Sequence, residues 1–181
     1  LVELATHKSG MPRLPSNFGW KAIMNMSNPY STYMVEDLYK FLKKYKPTPI
    51  EERETAYSNL GMGLLGHILA LVNESDYETL ILQYIATPLD MERTTITLDD
   101  WGETHWATGH NEYGDPTSNW DLPTLAGAGA IRSNTQDMLK YVAANIHNKL
   151  AFEQTHQTRE AFSEEAKIGL AWIQSESKVE E

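Results

Sequence analysis

The sequence predicts a mainly α chain with a small hairpin and a terminal strand. Apolar residues recur at helical spacing in several separate segments, a polar turn cluster interrupts an alternating stretch at 94–125, and a short apolar run occupies 168–173. At 181 residues the chain is expected to form a single domain over 1–181, long enough to bury a core.

Residues 8–33 read as loop, punctuated by Gly10, Pro12, Pro15, Gly19 and Pro29. An amphipathic helix is expected over 34–45, where Val35, Leu38, Phe41, Leu42 and Tyr45 form the buried stripe and Lys40, Lys43 and Lys44 face out. Pro47 and Pro49 cannot continue it. A second helix, apolar on most of its circumference and so expected to be buried, runs from about Leu60 to Asn73. A third follows, with Ser75 and Glu78 as a capping box and Tyr77, Leu80, Ile81, Tyr84 and Ile85 as one stripe. In 94–125, "TTITL" and "THWATG" alternate like strand around a turn at Gly114-Asp115-Pro116. A fourth helix spans 134–147, capped by Ser133 with Gln136 and buried through Met138, Leu139, Val142, Ala143 and Ile146. A short helix near 158–166 and a strand at 168–173 complete the reading.

The 25 acidic residues against 15 basic ones give a net charge of −10, which opposes a phosphate-backbone binder and so a nucleic-acid partner. No apolar run approaches the ~18 residues of a membrane span. Zero cysteines exclude disulfides, thiol catalysis and cysteine zinc sites. No leader is visible, and a start at Leu1 is compatible with one removed. His7, His67, His105, His110, His147 and His156 form no H-E-x-x-H pattern, so no metal or other cofactor is expected and each histidine reads as satisfied or exposed. No G-x-S-x-G elbow occurs.

The stretch "YSNLGMGLLGHILA" (57–70) contains two site signatures. Gly61, Gly63 and Gly66 spell G-x-G-x-x-G, but the preceding "PIEERETAYSN" is polar and supplies no strand to deliver a phosphate, so the glycines read as close-packing positions. Tyr57-Ser58-Asn59 is the other. Lys8-Ser9-Gly10 imitates a K-[ST]-G box, and Ser175-Glu176-Ser177-Lys178 imitates an S-x-x-K nucleophile inside the acidic tail "SESKVEE", without an apolar helix to bury it.

Five segments in order resemble class C β-lactamase-like serine hydrolases, a family with penicillin-binding protein and esterase relatives. "LATHKSGMP" (4–12) resembles "LLTHTSGLP", "YSNLGMGLLGHIL" (57–69) the tyrosine-x-asparagine loop and its helix, and "YIATPLDMERT" (84–94) the "I-x-x-P-L-G-M-x-x-T" segment. "AGAGAIRSNTQDMLKYV" (126–142) is similar to "AGGLRSTAxDMxRF", and "GLAW" (169–172) to "GLGW". Asp90 replaces a usual glycine, Ala130 stands where glycine is common, and Lys8 where threonine is. Asp tolerates the left-handed backbone better than most residues.

The resemblance implies the helical lobe of the serine β-lactamase/transpeptidase-like fold, with the α/β lobe missing. It places Lys8-Ser9-Gly10 in the threonine-histidine segment rather than in a K-T-G strand. It implies a parent enzyme that attacks β-lactams, D-amino-acid peptides or esters through a serine acyl-enzyme; the residues do not rank the three. Tyr57 would be the catalytic phenol that takes and passes on the serine's proton, and Asn59 the substrate-binding amide that aligns the acyl carbonyl. A phenol of pKa about 10 needs nearby ammonium groups to act as a base at neutral pH. The plain alternatives are a half-buried aromatic for Tyr57 and an N-cap for Asn59. Without a credible S-x-x-K, K-T-G or oxyanion hole, the isolated chain is expected to be inactive, with no nucleophile of its own. A non-catalytic helical binding or scaffold module is the alternative. The resemblance further implies a periplasmic or secreted protein, and self-association through a face left by the absent lobe.

Overall fold

A computed structural model of the chain describes residues 1–147 and 152–175. It is mainly helical, with two small antiparallel sheets. In order come α1 (Val2–Ala5), α2 (Gly19–Met24), α3 (Val35–Lys44), α4 (Asn59–Val72), α5 (Tyr77–Ile81) running into a π turn (Leu82–Ala86), α6 (Asp100–His105), α7 (Thr135–Ile146) and α8 (Phe152–His156). A hairpin pairs β1 (Gly109–His110) with β2 (Pro116–Thr117), and β3 (Glu160–Ala161), β4 (Ala166–Ile168) and β5 (Ile173–Ser175) form a second sheet in that order. Among the described residues no helix is long and apolar enough to cross a membrane.

The core joins Leu4, Phe18, Tyr30, Tyr33, Leu38, Phe41, Leu60, Leu64 and Leu125. In α3, Leu38 and Phe41 supply the buried stripe, and the Asp37 carboxylate reaches back to accept the Met34 N–H at 3.1 Å. The glycines of α4 serve packing. A Cβ built on Gly63 would stand 2.6 Å from Leu125 Cδ2, and one on Gly66 3.0 Å from Gly127 Cα, so the bare helix backbone abuts the 125–128 segment. No phosphate loop precedes this helix: Pro49 leads into a 3-10 turn (Ile50–Glu52), followed by extended coil.

Several expectations need correction. The cap of α5 is Asp76, whose carboxylate takes both the N–H and the hydroxyl of Thr79 at 2.8 and 2.7 Å, while Ser75 caps nothing. Glu78 is thereby freed to accept the Ile96 and Thr97 N–H groups, each at 2.7 Å. The cap of α7 is Asn134, which accepts the Asp137 N–H at 2.9 Å; the Ser133 hydroxyl instead meets Thr94 at 2.7 Å. The stripe expected to be buried on α7 is exposed, Leu139 at 62% and Ile146 at 71%; the face turned inward instead carries buried Asp137 and Asn145, whose oxygens accept hydrogen bonds from Thr94 and His156. The C-terminal end of α4 also leaves Leu71 and Val72 exposed. Residues 158–166 form β3 and a bend rather than a helix; the nearby helix is α8, upstream. Residues 168–173 are not one strand. Ala171 adopts a left-handed φ of 62° and donates its N–H to Ala5 O, so 169–172 turns the chain between β4 and β5. Helices α2 and α6 occur where loop and strand were expected. Asp90 is left-handed, with φ 59°.

Candidate functional site

His7 organises the site. It leaves α1 in a left-handed conformation, φ 57°, and is buried to 5% exposure. Its carbonyl accepts the Ala56 N–H at 2.9 Å and its Nδ1 accepts the Ser58 N–H at 3.2 Å. Two further bonds extend the junction, from the Ser58 hydroxyl to Pro12 O at 2.7 Å and from the Leu60 N–H to Arg13 O at 3.1 Å. Residues 56–60, which lead into α4 and open its first turn, are therefore held against 7–13.

Tyr57 projects from this junction and is 47% exposed. Its ring lies 4.6 Å from the His7 ring, and the Arg13 guanidinium carbon stands 5.6 Å from its centroid, within cation–π range. Ser58, although adjacent, is no nucleophile candidate. It is 1% exposed, and its hydroxyl both donates to Pro12 O and accepts the Gly61 N–H at 2.8 Å as the cap of α4.

Asn59 is therefore not the N-cap. It is the first residue of α4, and its Nδ2 donates to the Tyr30 hydroxyl at 3.2 Å. Tyr30 is fixed between Phe18 and Trp120, with ring centroids 4.7 and 5.7 Å away. Asn59 and Tyr30 line a cavity of about 320 Å³ whose other walls include Trp106, Trp120, Leu122 and the 128–132 run. One amide N–H of Asn59 is taken by Tyr30, which leaves a second for an incoming carbonyl. Tyr57 is not among the residues that line this cavity and stands two positions upstream of Asn59 on the same segment.

The remaining sequence signals separate from the site. The Lys8 ammonium pairs with Glu160 at 2.7 Å, and Ser9 is buried, its hydroxyl accepting the Met11 N–H at 3.3 Å, so Lys8-Ser9-Gly10 is loop structure. Of Ser175–Lys178, Ser175 ends β5 and 176–178 lie outside the described residues. Among the described residues no three His, Asp or Glu side chains gather as a metal site. Sequence reasoning missed the organising role of His7 and the partnership of Tyr30 with Asn59. The threonine-histidine pair at 6–7 was the available signal for the first, while Tyr30 lay in a stretch read only for its prolines and glycines.

Burial holds the His7 pKa below its ordinary 6.5. Between that lowered value and 6.5 the unfolded chain binds more protons than the folded one. The contribution of the neutral ring is thus complete above 6.5 and is lost as pH falls through the folded value. His7→Asn retains an acceptor oxygen and tolerates positive φ, yet does not titrate. The urea midpoint of the wild-type chain is expected to fall more steeply than that of the variant from about pH 7 to 5. Parallel slopes would remove His7 as the acid-sensitive group.

A family described as beta-lactamase matches residues 1–180. The chain is 27% identical over 146 residues to a beta-lactamase of Psychrobacter immobilis, covering 81% of this chain and 33% of that protein. It is 29% identical over 145 residues to the D-alanyl-D-alanine-carboxypeptidase/endopeptidase AmpH of Escherichia coli K12, covering 78% and 35%. A crystal structure of a beta-lactamase/D-alanine carboxypeptidase from Pseudomonas syringae superimposes with a TM-score of 0.79 at 22% identity, over 98% of this chain and 48% of the other. A class C beta-lactamase does so with a TM-score of 0.75 at 25% identity, over 94% and 46%. The chain thus spans about a third of these curated relatives and about half of the solved structures.

Proposed function

The chain belongs to the β-lactamase family, and from that premise we propose that it supplies the tyrosine–asparagine part of a serine acyl-transfer site. The substrates would be β-lactams, D-amino-acid peptides or esters. The carrying observation is Asn59, which lines a cavity with one amide N–H uncommitted while Tyr30 holds the other. In this reading Asn59 Nδ2 donates to the acyl-amide carbonyl and aligns the scissile bond for attack. The accessible Tyr57 phenol exchanges the proton between the attacking serine and the leaving group. His7 holds both residues in place through the backbone of Ser58. The compartment that goes with this reading is the periplasm or the extracellular space.

The 181-residue polypeptide is itself expected not to turn over. Ser58 is committed as a cap, Lys8 is paired with Glu160, and the only S-x-x-K spelling is that of the acidic tail. An acyl-enzyme needs an activated serine and donors for its oxyanion. With benzylpenicillin, mass spectrometry should show no adduct, while the Asn59 side-chain amide resonances should shift. An adduct would overturn the inactivity. Unmoved Asn59 resonances would overturn the site and favour a non-catalytic helical binding module. The exposed stripe of Met138, Leu139, Val142 and Ile146 on α7 supports self-association as part of the same proposal.

A further inference from the structure

Arg132 connects the walls of the Asn59 cavity. Its guanidinium carbon lies 5.5 Å from the Trp106 ring centroid, and one amino group donates to Trp120 O at 3.3 Å. A second hydrogen bond goes to Ile96 O. Backbone bonds of 2.9 and 2.7 Å pair the same residue with Thr95. Trp106 and Arg132 also line the adjoining groove of about 780 Å³, so they form the partition between the two spaces. The Arg132 side chain is 12% exposed, and its positive charge is answered by Asp121 at 2.7 Å. Asp121 is much more open, with its side chain 60% exposed, and is steadied by Asn28 through bonds of 2.7 and 2.8 Å.

We propose that the Arg132–Asp121 pair is the specificity element of the Asn59 cavity, setting its preference for a flat, uncharged acyl group. Three aromatic rings, Tyr30, Trp106 and Trp120, offer faces and edges to such a group. Among the described residues Arg132 is the cation in this wall, and Asp121 neutralises it, so a carboxylate on the acyl group gains no free cationic partner there. The inference rests on the reading of Asn59 as the carbonyl-aligning amide.

The probes are phenylacetyl-glycinamide and its para-carboxy analogue, which differ by one ring carboxylate. Both are titrated into the 181-residue chain and followed through the Asn59 amide and the Trp106 and Trp120 indole resonances. The wild-type chain should favour the neutral probe. Asp121→Asn keeps the Asn28 contacts and unmasks the guanidinium, and should swing the affinity ratio toward the carboxylate by about ten-fold. Arg132→Gln in the Asp121→Asn background should cancel that swing. Should the double variant fail to fold, the single one still decides. Asn59 resonances that move with an unchanged ratio in Asp121→Asn overturn the specificity role alone. Asn59 resonances that respond to neither probe in the wild type overturn the site itself.

Discussion

Gly63→Ala is expected to destabilise the chain by about 2 kcal/mol, and Gly63→Val by more, read as a lowered urea midpoint. The new Cβ would lie 2.6 Å from Leu125 Cδ2, 2.7 Å from Leu125 Cβ and 2.9 Å from Leu125 Cα. The last contact is with backbone, so no rotamer change relieves it, and Leu125 is 1% exposed in the core. Alanine's better helix propensity, worth about 1 kcal/mol, offsets only part of the cost. Gly19→Ala is the control. Gly19 opens α2, and a Cβ there would meet nothing within 4 Å, so Gly19→Ala should show no steric loss of stability. Equal effects at the two positions would show that α4 does not pack as closely as described.

Asp137→Ala should cost about 2–3 kcal/mol by the same measurement, since it strips a buried acceptor from its donors. The carboxylate is 3% exposed and accepts the Arg93 N–H at 2.7 Å and the Thr94 hydroxyl at 2.9 Å, with the Lys140 ammonium 3.7 Å from its other oxygen. These bonds fasten α7 to the segment after Met91. Asp137→Asn keeps one acceptor oxygen in the same shape and should lose less. Equal losses for the two variants would assign the effect to charge rather than to satisfied donors.

The helices that were legible are those in which spacing and propensity agree. The α3 stripe places Leu38 and Phe41 inward, and α4 lies within a residue of its expected span. Capping was misread by one position twice, because "SD" at 75–76 and "SN" at 133–134 each offer two competent side chains. Local pattern cannot choose between them. The choice was made elsewhere, by Thr94 taking the Ser133 hydroxyl and the 95–97 loop taking Glu78. The apolar stripe of α7 was found and its direction was not, since periodicity locates an apolar face without naming what covers it. The short helices α2 and α6 carry too few turns for periodicity to register.

The site was legible as letters and not as geometry. Tyr57 and Asn59 stand in a recognisable triplet, but the atoms that fix them come from residues distant in sequence. The His7 ring meets Ser58 across 51 positions and Tyr30 meets Asn59 across 29. The triplet's middle residue, which sequence left without a role, proves to be the cap that starts α4.

The glycine seam of α4 imposes a lopsided freedom on redesign. Asn59 sits one turn from Gly63, and the segment that Gly63 and Gly66 touch runs directly into the 128–132 wall opposite. Two sides of the pocket thus share a joint with no slack, where enlarging a residue shifts both together. The tryptophans meet that wall through the Arg132 guanidinium and are partly exposed. Under the proposed acyl-transfer reading, efforts to admit bulkier acyl groups should diversify Trp106 and Trp120 and leave the helix and its partner loop untouched.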